Sequence, residues 1–360
     1  MAVNPVSGII TALFLAAACF VPSTGAAADR VSKEAALGLP ESDGPLAVHA
    51  SFHLLNISGI NDEAETVELS GVLRLVWRDS RQAFDTAEEV ISEKIYSGGY
   101  QFDEISPAWY PQVTLVNAVG QQNTQAVLLR VRPDGTCTLT EALNAVVKVN
   151  INMRQYPFDR QKLDARFDVL GFDADEVALD TTPLSTSAPV SLITVPHWSL
   201  GDVAGSIRKF DVAFAGGTLA RASYVVTIDV KRKSFFMIRL VVLPLFLIVM
   251  LSWAVFWMDR SSLGDRMSVS FVGILTAVAF QTMVGGLMAP IDYLTLMNAF
   301  IALSFLVMCA TVVINLVMGA LDRSGNSQRG DRIDRRCRWI FPSVYAGLLL
   351  AAAIAVFNWY

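Results

Sequence analysis

Four long apolar runs fill the last third of the chain and constrain its fold more than any other feature. Each run is close to the ~20 residues that an α-helix needs to cross the hydrocarbon layer of a membrane. The preceding part alternates short apolar and polar runs and has the composition of a soluble domain. The sequence therefore predicts a membrane protein with a large part outside the bilayer. The predicted helices cover about residues 236–258, 267–284, 293–318 and 339–359.

The N-terminal part predicts a secreted β-domain. An apolar run at residues 7–22 is followed by small residues at Ala26 and Ala28, which suit a signal peptide covering residues 1–28. Residues 29–233 then form an extracellular or periplasmic domain, and residues 234–360 form the transmembrane domain. Many short alternating runs separated by turn signals predict an immunoglobulin-like β-sandwich, with one short helix near residues 87–95.

Charge around the spans predicts the orientation in the membrane. The short loop between the third and fourth spans contains six arginines, and such an excess marks the cytoplasmic side. We therefore expect a multi-pass protein of the cell (inner) membrane, with the β-domain and the C-terminus outside the cytoplasm. Lys231, Arg232 and Lys233 oppose this charge rule, so they need acidic partners or anionic head groups nearby. The six arginines are Arg323, Arg329, Arg332, Arg335, Arg336 and Arg338.

The second span has one helical face that is narrow and partly polar. Its members recur at steps of three and four, which places them on one side of an α-helix. A membrane helix with such a face is turned toward water or toward protein, so the pattern fits either a pore lining or a tightly packed bundle. The face consists of Asp265, Ser268, Val272, Leu275, Ala279 and Thr282.

Several functional classes lack support in the sequence. The net charge of -5, without a basic tract carrying interleaved aromatics, does not suggest nucleic-acid binding. The four cysteines and three histidines form no recognisable zinc motif, so we expect no metal and no cofactor. His49 and His53, four apart on one face of a predicted strand, leave a weak metal site as the alternative. No phosphate loop or nucleophile elbow is present, so an enzyme is not expected.

The order of several short motifs resembles that of the pentameric ligand-gated ion channels, in their short prokaryotic form without the disulfide of animal members. The most specific stretch is Tyr156-Pro157-Phe158-Asp159, which matches the family's aromatic-Pro-aromatic-Asp loop; Val149 and Leu163 occupy the places of the two cysteines. Further matches are Trp77 with Asp79, Trp109 with Pro111 and Asn117, Arg232 before the first span, Pro244 inside it, and Ser252-Trp253. Gln112 departs from the pattern by replacing an Asp.

This resemblance implies a homopentamer in which each of five identical subunits contributes its second span to a pore. Cyclic symmetry converts the narrow face into rings of side chains. Asp265 becomes a carboxylate ring near the cytoplasmic mouth, which favours monovalent cations, provided that Arg266 points away from the lumen. Val272, Leu275 and Ala279 form an apolar constriction able to close by dewetting.

The resemblance also implies where gating and agonist binding occur. We expect coupling where the sandwich meets the membrane, with Asp159 or an acid of the first hairpin loop pairing with Arg232. The coupling residues are Asp62, Glu63, Tyr156, Pro157, Phe158, Asp159, Arg232 and Pro290, the last within the loop at residues 287–293. An agonist box between subunits falls on Arg74, Val116, Leu170, Phe172, Arg221 and Tyr224.

The stimulus and the wider class stay open at this point. A box depleted of aromatics suits a quaternary ammonium poorly, whereas Arg221 favours an anionic agonist such as a carboxylate. Protons acting on acidic groups such as Asp173, Asp175 and Glu176 are the rival stimulus. The alternative to a channel is a membrane-anchored extracellular sensor without a pore, but the short arginine-rich loop offers it no cytoplasmic output module.

Overall fold

The computed structural model describes residues 38–98, 108–181, 193–214, 217–259, 262–286 and 290–359, and it contains two β-sheets followed by four long helices. The strands are β1 (Leu46–Asn61), β2 (Thr66–Arg78), β3 (Lys94–Ser97), β4 (Val113–Leu115), β5 (Asn123–Val131), β6 (Thr136–Lys148), β7 (Arg160–Val169), β8 (Val177–Thr181), β9 (Trp198–Phe214) and β10 (Gly217–Arg232). The predicted signal peptide lies outside the described residues.

The two sheets form a sandwich. The first has the strand order β3-β5-β6-β2-β1-β8, and the second has the order β4-β7-β10-β9. Along β2 every second residue from Val67 to Trp77 is buried, because successive side chains of a strand point to opposite faces. The predicted sandwich is therefore present, and its core lies between the two inner faces.

Tyr224 joins the two sheets at the centre of the sandwich. It lies on β10, is 1% exposed, and its hydroxyl accepts a hydrogen bond from the backbone N–H of Phe52 on β1 at 3.0 Å. Its ring packs against Phe167 on β7, and burial raises the pKa of the phenol to about 12. The prediction that Tyr224 lines an agonist box is wrong, because its side chain fills the core and does not reach the surface.

Four helices follow the last strand, and each is long and apolar enough to cross a membrane. We name them α1 (Phe235–Trp257), α2 (Leu263–Gly285), α3 (Leu296–Arg323) and α4 (Ser327–Trp359). α1 includes a π-helical segment at Ile238–Val242, directly before Pro244, and ends in a 3-10 turn at Ala254–Trp257. Proline cannot donate to the preceding turn, which accounts for the local change of helical pitch.

The structure corrects two sequence predictions. α4 begins at Ser327, so most of the arginine-rich segment is helix and not loop. Hydropathy identifies only the apolar part of a helix and misses a polar extension. The short helix is confined to Thr86–Glu89 and ends at Val90, whose φ is 55°. Lys94 and Ile95, the last residues of the predicted helix, instead belong to β3, because pairing with β5 outweighs their helical propensity.

Replacing Tyr224 by Phe should destabilise the β-domain without altering its shape. The substitution removes one oxygen and leaves the buried N–H of Phe52 without that acceptor, which costs about 1–3 kcal/mol. We expect a lower midpoint of thermal unfolding for the purified protein. Y96F is the matched control, since Tyr96 lies on the edge strand β3 and is only partly buried. An unchanged midpoint in Y224F would contradict the role assigned to this hydrogen bond.

Candidate gating site and ion pathway

Arg232 is the last residue of β10 and lies at the centre of a buried ion-pair cluster. Its side chain is 7% exposed. The guanidinium donates from Nε to Oδ1 of Asp159 at 2.8 Å and from Nη2 to Oδ2 of Asp159 at 3.2 Å. Its remaining nitrogen, Nη1, donates to Oδ2 of Asp62 at 2.7 Å. The structure thus pairs Arg232 with both kinds of acid that the sequence offered, one from the Tyr-Pro-Phe-Asp loop and one from the first hairpin.

Aromatic rings enclose this cluster. The guanidinium carbon of Arg232 lies 4.1 Å from the ring centre of Trp198 and 4.8 Å from that of Tyr156. Burial tends to lower the pKa of Arg232, but the hydrogen bonds to Asp62 and Asp159 outweigh that effect and raise the pKa above its ordinary value. Burial also raises the pKa of Tyr156 to about 12. The site therefore holds a permanent positive charge in a cage of carboxylates and rings.

The Tyr-Pro-Phe-Asp loop also contacts the segment before α3. The backbone N–H of Met153 donates to the hydroxyl of Tyr293 at 2.9 Å, and that of Leu296 donates to the carbonyl of Arg154 at 2.9 Å. The guanidinium of Arg154 lies over the ring of Tyr293 at 5.4 Å. One loop of the sandwich is therefore bonded both to the strand that leads into α1 and to the entrance of α3.

The other predicted coupling residues divide into buried and exposed groups. Pro157 is buried beside Tyr156 and follows a cis peptide bond, whereas Phe158 is 42% exposed. Glu63 and Pro290 are exposed. In the loop at residues 287–293 the contact to the sandwich is made by Tyr293; residues 287–289 lie outside the described part of the chain. Trp198, which sequence reasoning missed, closes the cluster from β9.

The predicted pore face of α2 is exposed in the single chain. Leu275 is 70% exposed and Val272 is 62% exposed, and the other predicted pore residues, Asp265, Ser268, Ala279 and Thr282, are also classed as exposed. The buried residues of α2 recur on another face and contact α1 and α3: Arg266, Ser270, Ala277 and Val284. α2 therefore packs on one side and leaves the whole predicted stripe uncovered.

Arg266 points away from its neighbour Asp265. Its side chain is 1% exposed, and its Nε donates to the carbonyl of Val255 at 2.9 Å. Its Nη2 donates to Asp334 on α4 at 2.5 Å. Of the two adjacent charges at this end of α2, the carboxylate is exposed and the guanidinium is buried.

The predicted agonist residues are not gathered into one aromatic cluster. Val116 and Leu170 are exposed aliphatic side chains, and Arg74 is exposed on the first sheet. Phe172 packs edge-on against Trp109 at 5.7 Å and belongs to the rim of the core. Arg221 is partly exposed, and within the described residues its buried Nε has no hydrogen-bond partner.

Two further motif residues brace the sandwich. The amide of Asn117 donates to the carbonyls of Lys148 and Asp164, both at 2.8 Å, and accepts from the N–H of Arg166 at 3.0 Å. Asp79 is fully buried and forms an ion pair with Arg81 at 2.9 Å. Burial opposes the ionisation of Asp79, but its bonds to Arg81 and Gln82 lower its pKa. Both motif residues are thus structural within the subunit.

The structure thus joins a β-sandwich by buried contacts to a four-helix bundle in which one face of α2 is uncovered. Residues 36–212 match the model of the neurotransmitter-gated ion-channel ligand binding domain. The chain is 26% identical over 314 residues to a proton-gated ion channel of Gloeobacter violaceus. This alignment covers 87% of this chain and 84% of that relative.

Receptor subunits of vertebrates are also similar to the chain. The human gamma-aminobutyric acid receptor subunit rho-3 is 23% identical over 278 residues, or 75% of this chain and 57% of that subunit. The chicken beta-4 subunit is 22% identical over 313 residues, or 82% of this chain and 62% of that subunit. The chain therefore spans about three-fifths of the length of these receptor subunits.

Residues 36–212 belong to the ligand-binding-domain family of the neurotransmitter-gated ion channels, and together with the relatives they support a pentameric ligand-gated ion channel. The chain is accordingly a ligand-gated ion channel and not an enzyme, and a multi-pass membrane protein whose N-terminal domain is extracellular. Its relatives are oligomeric channels, which supports self-association of this chain.

Replacing Asp159 by Asn should impair both stability and gating. The change leaves Arg232 buried with one carboxylate fewer, and removing one partner of a buried pair costs about 3–5 kcal/mol. We expect a lower yield of assembled protein and a smaller agonist- or proton-evoked current per assembled channel.

E68Q is the matched control for D159N, since Glu68 is an exposed carboxylate on β2 that is not among the predicted coupling residues. Thermal unfolding, size-exclusion chromatography and currents normalised to surface protein separate the two effects. Equal behaviour of D159N and E68Q would exclude Asp159 from coupling.

Proposed function

We propose that the protein is a homopentameric, cation-selective channel whose pore is lined by α2. The observation that carries this proposal is the division of charge at the end of that helix: Asp265 is exposed, whereas Arg266 is buried against Asp334. Five copies around an axis would present five carboxylates to the ion pathway, and such rings favour cations. The permeant ions are monovalent cations, and the partners of each subunit are four further copies and membrane lipid.

The gate in this proposal is the apolar part of the stripe. Val272 and Leu275 are large, apolar and exposed over most of their surface. They lie between Ser268 and Thr282 on one helical face, and a pore that closes by dewetting requires such an apolar zone. Ala279 continues the dry zone toward the extracellular end.

Coupling in this proposal runs through the Arg232 cluster. Asp62 and Asp159 come from two loops at the base of the sandwich, and Arg232 is followed within three residues by α1. A movement of β10 would therefore reach α1 directly, while Tyr293 carries the same loop's movement to α3. The alternative function, a membrane-anchored extracellular sensor without a pore, is disfavoured because it does not explain the uncovered face of α2.

Extracellular protons are the stimulus that we propose first. The relative with 84% coverage is named for proton gating, and two of the predicted box positions, Val116 and Leu170, carry aliphatic side chains. Acidic groups at the edge of the sandwich, among them Asp173, Asp175 and Glu176, supply carboxylates that acid can neutralise.

A small anionic agonist is the second candidate. It is favoured by Arg221, whose buried Nε has no hydrogen-bond partner among the described residues. A carboxylate could accept from that nitrogen, since Arg binds carboxylates through charge-assisted hydrogen bonds. Arg74 of a neighbouring copy would add a second positive charge.

The stimulus can be tested with purified protein in liposomes. Ion flux is measured after steps of external pH at fixed ion concentrations, and then at constant pH with a panel of small acids and amines. Flux evoked by acid alone supports proton gating, and flux evoked by a carboxylate and lost in R221Q supports the second candidate. A lack of flux under every condition would count against both stimuli.

Replacing Asp265 by Asn should weaken cation selectivity. Removal of five negative charges from one ring lowers the local concentration of cations, so the reversal potential in a salt gradient should move toward the chloride value. D202N is the control, since Asp202 is an exposed carboxylate of the extracellular domain with no proposed role in gating. If the reversal potentials of D265N and wild type coincide, Asp265 does not form the selectivity ring.

Replacing Leu275 by Ser should make the closed channel leak. A hydroxyl at the middle of the dry zone lowers the free energy of wetting, so we expect a resting current without stimulus and a lower stimulus threshold. L306S is the control, because Leu306 is similarly exposed, at 63%, but lies on α3. A tight channel in L275S would place the gate elsewhere.

A further inference from the structure

The cytoplasmic ends of three helices meet around one buried carboxylate. Asp334 lies on the polar extension of α4 and is 3% exposed. Its Oδ1 accepts from Arg266 of α2 at 2.5 Å, and its Oδ2 accepts from Arg338 of α4 at 3.4 Å. Sequence patterning gave no reason to single out this residue, since it stands within a run of arginines.

Both arginines also bind the last carbonyls of α1. Arg266 donates to the carbonyl of Val255 at 2.9 Å, and Arg338 donates to that of Phe256 at 2.8 Å. The last carbonyls of a helix lack the usual i+4 partner and carry partial negative charge; that of Val255 also accepts from the backbone N–H of Met258 at 3.2 Å. Arg266 is therefore held on one side by the end of α1 and on the other by Asp334.

This arrangement determines which charge faces the ion pathway. Asp265 and Arg266 are adjacent on α2 and have opposite charges, so a guanidinium that shared the solvent-exposed face would cancel the carboxylate ring. A buried guanidinium is stable only when its charge is compensated, and Asp334 supplies the one full negative charge that contacts Arg266 among the described residues. Without that charge, the long side chain of Arg266 gains by turning to water beside Asp265.

We propose that Asp334 is a positioning residue for ion selectivity, which acts from α4 by holding Arg266 away from the pore. The inference rests on the proposed role of α2 as the pore lining. It assigns to the fourth helix, which lies outside the pore, a part in choosing the permeant ion.

The test is the reversal potential of the full-length channel in a NaCl gradient. Asn has the shape of Asp and keeps an acceptor oxygen, but it lacks the charge. In D334N we expect the permeability ratio of Na⁺ to Cl⁻ to fall by roughly threefold or more, because five positive charges approach the mouth. The double variant D334N/R266Q should recover the wild-type ratio. D202N is the control for loss of one carboxylate, since Asp202 is exposed on β9, far along the chain from the helical bundle.

Three results would overturn the proposal. One is a conducting D334N channel with the wild-type permeability ratio, and another is a shift that R266Q does not reverse. The third concerns a D334N variant that fails to assemble. In that case the uncompensated Arg266 would be the cause, so D334N/R266Q should restore the pentamer peak in size-exclusion chromatography. A double variant that assembles no better than D334N would overturn the proposal.

A wild-type channel that prefers chloride would refute the proposed cation selectivity alone. D334N would still have to increase the chloride preference in an Arg266-dependent manner, so the two failures can be told apart.

Discussion

The buried charge of Arg232 is the constraint on which the junction of the two domains depends. A guanidinium with a side chain 7% exposed must be compensated where it lies, and the compensation comes from Asp159 and Asp62, which belong to different loops. The end of β10, the Tyr-Pro-Phe-Asp loop and the first hairpin are therefore fixed relative to one another. Because α1 begins directly after this strand, the orientation of the first helix depends on the same contacts.

The opposite end of the helical bundle follows the same principle. Arg266 is buried against Asp334 and against the end of α1, so a second guanidinium fixes the cytoplasmic ends of the helices. Between the two ends the contacts are weaker: hydroxyl and amide bonds such as that of Asn315 to Ser270 at 3.1 Å, and packing of small residues. α2 is thus anchored by charge at its cytoplasmic end and by neutral contacts along its length.

Elements marked by a periodic pattern or a motif could be predicted from the sequence. Elements whose conformation depends on tertiary contacts could not. The alternation of apolar and polar residues made most strands of the sandwich predictable, and hydropathy located the four apolar helices. The edge strand at Lys94–Ser97 and the polar start of α4 were missed, because their conformation comes from pairing and packing with distant residues. Asp334 was missed for the same reason: nothing in a linear run of arginines shows which carboxylate will be buried.

Strand geometry explains why the residues predicted for the agonist box do not all lie together. Arg221 and Tyr224 are three residues apart on β10, so their side chains point to opposite faces of the sheet, and one agonist cannot contact both. Tyr224 takes the core face. The outer face of this sheet is instead charged, with Arg208 paired to Asp164 at 2.8 Å.

A stimulus acting on that outer face therefore acts through charge, either as protons on carboxylates or as an anion beside Arg221. Both routes converge on β10, whose ladder with β7 and β9 continues to Arg232. In the proposed function, Arg221 and the buried cluster that receives the signal thus lie on the same strand.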